Sequence, residues 1–283
     1  MAVPTSSRSG LVETSDGALI YYEVTGDGPP ILFVHGWMMS SRFWVRQVEG
    51  LSRDFTVVTM DLRAHGNSSK VLHGHTIPQY ARDVRAVIEA LNLDGVTLAG
   101  WSLAGPVVLD YWSHYGADRL RALALVDMTP FPFSPGAWNA HRMSGHNYDQ
   151  MHAALASLFA DREAFARRFI DNMFTSGAAP ADDMKWMLAE SMKTPAAVAV
   201  AVYSDFLMRD YTVVLPTITI PATVFAADSN IFRQGIEQGR WAASQIPGAT
   251  FVGSDNGGHV LFYEDAATFN AAIARPIPPA LQH

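Results

Sequence analysis

Apolar positions along this chain alternate between two rhythms. Short runs such as "ILFVHG", "FTVVTMDL", "GVTLAG", "LRALALVDMTP" and "ATFVGS" have the length and β-branched content of buried strands. Longer stretches between them repeat at helical spacing. In "IPQYARDVRAVIEALNL", Val84, Val87, Ile88 and Leu91 share one face. Further helices are predicted near residues 42–51, over "LAGPVVLDYWSHYG" up to Gly116, over "FRQGIEQGRWAASQIPG" and over "EDAATFNAAIA". "LVETSDGALIYYEVTGDGPP" reads as two strands joined at an "SDG" turn. Strands alternating with helices predict an α/β fold, with a mostly parallel central sheet and helices on both faces.

The alternation stops at residue 131 and resumes after 215. The intervening stretch is rich in Met, Phe, Ala and Trp, has no strand rhythm and reads as helical. It predicts a helical cap over residues 131–215, inserted into a core domain made of 1–130 and 216–283. Neither an internal repeat nor a low-complexity segment is visible, and "PIPPALQH" reads as a loose tail.

Composition narrows the partners. A net charge of −7 with no basic block argues against nucleic acid. The chain has no cysteine, which excludes a disulfide framework and a thiolate zinc site and fits the cytoplasm. The first residues have no apolar core of a secretory signal, and no apolar run approaches membrane-spanning length. The expected partner is a small molecule, without membrane or nucleic acid. The oligomeric state is left open, a homodimer included.

The candidate chemistry begins at "GVTLAGWSLAG". Ser102 stands where a strand turns into a helix, with Gly100 two residues before it and Ala104 two after. Strand and helix backbones nearly touch in such a turn, so both positions must be small. The turn exposes the serine hydroxyl, and the helix N-terminus beside it suits an anion. The plainer role for Ser102 is an ordinary helix cap. Three other stretches bear on the choice: "HGW" at 35–37, "DLRAHGNS" at 61–68, and "GGHVLFYED", which puts His259 on a glycine-rich loop with room to move.

Taken in order, "HGW", "DLRAHGNS", "GWSLAG" and "GGHVLFYED" resemble the α/β-hydrolase fold family, over nearly all of the chain outside 131–215. Ala104 departs from the family's usual second glycine, with Gly105 next to it. The resemblance implies that Ser102 is the nucleophile and His259 the base. It also implies that the backbone N–H groups of Trp37 and Leu103 form an oxyanion hole. The third member has two candidates. Asp228 ends "ATVFAAD", the strand that usually supplies the acid, but the spacing to "NIFRQG" is one residue short, which puts Ser229 at that position. Asp127 in "LVDMTP" lies one strand earlier, where some relatives carry theirs. Both also fit as turn caps.

Several other residues have quieter readings. His35 supports its loop, and Asp61, Arg63 and Ser68 form a loop network, with Arg63 as a substrate clamp the bolder alternative. His73 and His75 lack a carboxylate cluster, so no metal is expected. No phosphate-binding glycine loop is present and no cofactor is expected. His141, His146 and His152 read as polar positions of the insertion. Trp138, Trp186 and Met143 are the candidates for an apolar, adaptable substrate surface.

The resemblance implies a serine hydrolase of a carboxylic ester or lactone. One alternative is a cofactor-independent dioxygenase that uses a His/Asp dyad on a heteroaromatic substrate. Another is a non-catalytic ligand receptor on the same fold.

Overall fold

The computed structural model describes residues 7–145 and 148–275. His146 and the "PIPPALQH" tail lie outside the described residues. In chain order the first half contains β1 (Ser7–Glu13), β2 (Leu19–Thr25), β3 (Pro30–Val34), α1 (Val45–Leu51), β4 (Thr56–Met60), α2 (Ile77–Ala90), β5 (Val96–Trp101), α3 (Ala104–Tyr115) and β6 (Leu120–Val126). The inserted segment contributes α4 (Tyr148–Ala160), α5 (Arg162–Asp171), α6 (Ala181–Met192) and α7 (Ala196–Met208). The chain then returns through β7 (Ala222–Ala227), α8 (Gly235–Ser244), β8 (Thr250–Ser254), α9 (Leu261–Glu264) and α10 (Ala266–Ile273).

The eight strands form one sheet in the order β1-β2-β4-β3-β5-β6-β7-β8. β1 and β2 are antiparallel to their neighbours; β3 to β8 are mutually parallel. The step from β3 to β4 runs one way along the sheet, and the steps from β4 through β8 run the other way. Right-handed crossovers therefore put α1 on one face and α2, α3 and α8 on the opposite face. The contacts agree: α2 packs on α3, and α10 joins α1. The direction reverses between β3 and β5, so a crevice opens at their carboxyl ends. His35–Trp37 and Ser102 follow those two ends.

Local chemistry fixes the boundaries. Thr76 caps α2 by accepting the Gln79 N–H at 3.3 Å, and Pro78 sits in its first turn. Asp161 caps α5 through the Ala164 N–H at 2.9 Å. Gly116, at a φ of 57°, ends α3. The strand expected from "PTITIPATVFAAD" is confined to β7, because Pro216 and Pro221 lack donors and Thr212–Thr217 tightens into a 3-10 turn. The short α9, directly after His259, was not anticipated from periodicity. Among the described residues no helix is long and apolar enough to cross a membrane.

Candidate active site

Ser102 ends the tight turn from β5 into α3 with a φ of 57°, the left-handed conformation that a non-glycine residue rarely adopts. Its N–H donates to the Val126 carbonyl at 2.9 Å, and its carbonyl receives the Gly105 N–H at 2.8 Å. The turn is as crowded as its small residues imply. A Cβ on Gly100 would run into the Ala104 carbonyl oxygen.

His259 and Asp127 meet Ser102 from two other strand ends. His259 Nε2 lies 3.0 Å from Ser102 Oγ, and His259 Nδ1 lies 2.5 Å from Asp127 Oδ2. Both side chains are about 1% exposed, so water does not compete for the pair. The second carboxylate oxygen of Asp127 accepts the Ala227 N–H at 3.0 Å, and its backbone takes a φ of 42° to turn the side chain inward. The Trp101 indole donates to the His259 carbonyl at 2.8 Å and pins the loop. Gly258 lets that loop pass close to residues 173–175: a Cβ there would lie 2.9 Å from the Thr175 nitrogen. With Nδ1–H held by the carboxylate, Nε2 is left unprotonated toward the serine.

Trp37 reaches the same place from β3. Its indole donates to the Ala199 carbonyl of α7 at 2.8 Å, and its ring stacks on Tyr203 at 4.4 Å. Among the described residues neither the Trp37 nor the Leu103 amide has a protein acceptor. Both residues line a cavity with Ser102, whose remaining walls are Thr129, His141, Arg142, Phe169, Tyr203, Phe206, Ile231 and Phe232. Its free space is about 30 Å³, enough for a water or two.

Other candidates lie elsewhere. Asp228 is exposed, and its carboxylate accepts the Ile236 N–H of α8 at 3.0 Å, not a histidine. Ser229 caps the same loop through the Ile231 and Phe232 amides. None of the three proposed substrate side chains lines the cavity. Trp138 stacks on Trp241 at 3.8 Å, because α8 offers it a flat indole partner. Trp186 packs on Phe43 at 5.1 Å beneath the Arg42 guanidinium. Met143 is buried in the hydrophobic core instead. Arg63 cannot act as a clamp: it is fully buried and binds Asp83 and Asp16 at 2.8 and 2.6 Å. Asp61 ties its loop together through the Ser41 and Asn67 amides, and Ser68 donates to its carbonyl. His35 accepts the Leu62 N–H, and burial pushes its pKa down to about 4. His65 is held down to about 3, first by burial and then by His35. His73 lies near Asp16, and His75 meets Tyr80 and the Val71 carbonyl. Among the described residues no group of three or more His, Cys, Asp or Glu is arranged to hold a metal.

Sequence reasoning missed His141, Phe232 and the aromatic rings of α5 and α7 as cavity walls. His141 read as a surface position but is 7% exposed, whereas His152 is on the surface. The available signal was "NIF" after Asp228, an apolar pair in a polar loop.

Residues 29–266 match the model of the alpha/beta hydrolase fold. The chain belongs to the alpha/beta hydrolase fold family. Several relatives in that family are named as enzymes, haloperoxidases and an esterase/perhydrolase among them. It is 40% identical over 120 residues to a non-heme haloperoxidase of Rhodococcus erythropolis, covering 42% of this chain and 44% of that one. It is also 40% identical over 124 residues to a bifunctional esterase/perhydrolase of Acinetobacter calcoaceticus, covering 43% and 45%. The chain thus spans under half the length of these two relatives. The crystal structure of a bromoperoxidase from Bacillus anthracis superposes with a TM-score of 0.86 at 25% identity, over 94% of this chain and 98% of that one.

Proposed function

We propose that this hydrolase cleaves a carboxylic ester or lactone of a small apolar or aromatic substrate through an acyl-enzyme. Ser102 is the nucleophile, His259 the general base, and Asp127 the acid that orients it. The observation that carries this reading is the unbroken line from Ser102 Oγ through His259 to Asp127, opening onto an apolar cavity.

The steps follow from the geometry. His259 Nε2 takes the Ser102 proton as Oγ attacks the carbonyl carbon. The developing oxyanion receives the Trp37 and Leu103 amides, which have no competing acceptor among the described residues. Asp127 holds the imidazolium that forms. The leaving oxygen takes the proton back from His259 and departs, leaving Ser102 acylated. Water then gives a proton to Nε2 and attacks the acyl carbon, and Oγ leaves reprotonated.

Residues 131–215 act as a cap on the core of 1–130 and 216–283. A cavity of about 30 Å³ is too small for an aromatic ester, so the walls from α5 and α7 must shift to admit one. The haloperoxidase and perhydrolase names of the two relatives favour a second outcome at the same site, with hydrogen peroxide replacing water against the acyl-enzyme. In the dioxygenase reading the His259–Asp127 dyad deprotonates a heteroaromatic substrate and the serine attacks nothing. A hydroxyl 3.0 Å from the base favours hydrolysis.

The test is a stopped-flow burst with 4-nitrophenyl acetate, followed by intact mass of the quenched enzyme. One acetyl group on wild type and none on Ser102→Ala supports the reading. Turnover by Ser102→Ala at the wild-type rate contradicts it.

A further inference from the structure

The Ser102 cavity is apolar on most of its surface, but two successive residues that carry hydrogen-bond donors, His141 and Arg142, are among its lining. We propose that His141 and Arg142 form a carboxylate-recognition subsite, so that the preferred substrate is an ester or lactone that also carries a free acid group. This rests on the ester-hydrolase reading above and specifies its substrate class.

Three observations carry it. First, the proton on His141 is fixed. The Met143 N–H donates to Nδ1 at 3.1 Å, so the ring proton sits on Nε2. Burial, with Arg142 and His259 nearby, pushes this histidine down to about 3, so the ring stays a neutral donor. No protein acceptor for Nε2 is present among the described residues. A buried donor that lines a cavity without a partner is a place for a ligand acceptor.

Second, Arg142 has neither an ion pair nor a hydrogen bond among the described residues, although it belongs to a chain with a net charge of −7. Among the described residues no Asp or Glu lines the cavity. A planar guanidinium with free donors beside a neutral N–H suits a carboxylate, whose burial would be costly without such partners.

Third, the subsite is set apart from the chemistry. The Phe232 ring packs against both imidazoles, 5.4 Å from His259 and 5.6 Å from His141, centroid to centroid. His141 therefore grips a part of the substrate remote from the scissile carbonyl. Phe206, 6.1 Å away on its other side, helps to hold the ring in place. Since Arg142 is exposed and His141 buried, the acid group would span from the cavity wall to its mouth.

The experiment compares 4-nitrophenyl hydrogen glutarate with its methyl ester, two substrates that differ only in the remote acid. Wild type is expected to show a kcat/KM about tenfold or more higher for the acid, from one charge-assisted contact. Arg142→Gln should bring the ratio close to one, mainly by raising KM for the acid substrate, and Arg142→Lys should restore part of it. His141→Phe keeps a ring against Phe206 and Phe232 and should also raise KM for the acid. Equal kcat/KM for both substrates in wild type overturns the subsite, as does a ratio unmoved by Arg142→Gln. A fluorophosphonate label on Ser102 runs alongside. Labelling without turnover of the acid substrate overturns the subsite alone. Loss of both labelling and turnover overturns the hydrolase reading first and the subsite with it.

Discussion

The ends of β6 and β7 lie side by side in the sheet, and each carries an aspartate, yet the two carboxylates have different surroundings. Asp127 is about 1% exposed. One oxygen meets His259, the other takes the Ala227 N–H, and a left-handed backbone turns the side chain toward the base. Asp228 is exposed and accepts one amide at the start of α8, where the helix N-terminus favours a negative charge. Being an acid at a strand end is therefore not enough. Asp127 is the one of the two that is dry, held at both oxygens and aimed by its backbone at His259.

Substitutions can break that contrast. The largest effect is expected for Asp127→Asn, which keeps an acceptor for Ala227 but no longer favours the Nδ1–H tautomer. Its kcat on 4-nitrophenyl acetate should fall about a thousand- to ten-thousand-fold. A loss below tenfold would remove Asp127 from the site.

A second prediction concerns histidines that lack such a partner. Burial lowers His35, His65 and His141 to about 4, 3 and 3, whereas the unfolded chain titrates near the usual 6.5. The unfolded state therefore takes up their protons first as pH falls. Their contribution is complete above about pH 6.5 and is lost between there and pH 4 to 3. Near pH 5 the slope should approach about 1.4 kcal/mol per pH unit for each histidine. Urea midpoints at pH 7, 6 and 5 should fall steadily, and His141→Phe should make the decline shallower. A flat profile contradicts the burial of these rings.

The smallest effect is expected for Asp228→Ala. Loss of its helix cap should cost about 1 kcal/mol, seen as a slightly lower Tm. Activity should stay within about twofold of wild type. A collapse of activity with Tm unchanged would reverse the comparison.

The centre of the sheet was legible in the sequence because β3, β4, β5, β6 and β7 are largely buried apolar runs. The turn at Ser102 was legible for a related reason: a strand cannot meet a helix that tightly without small residues such as Gly100. The choice between the two aspartates was not. It depends on the Asp127 backbone angle and on an amide one hundred residues away, at Ala227. The cavity walls were hidden for a similar reason. In a segment rich in Met and aromatics, composition does not say which ring meets substrate. Trp138 found Trp241 and Trp186 found Phe43, while Tyr203, Phe206 and Phe232 were left to face Ser102. His141 looked like surface because a histidine between Ala140 and Arg142 carries no sign of burial.

The central claim is that Asp127, through His259, activates Ser102. The most direct measurement is the second-order rate of fluorophosphonate labelling, followed by intact mass, on wild type, Asp127→Asn, Asp228→Asn and Ser102→Ala. One adduct is expected on wild type and on Asp228→Asn at similar rates, labelling slowed about a hundredfold or more in Asp127→Asn, and none in Ser102→Ala. Equal slowing in both aspartate variants, or labelling that survives Ser102→Ala, would contradict the claim.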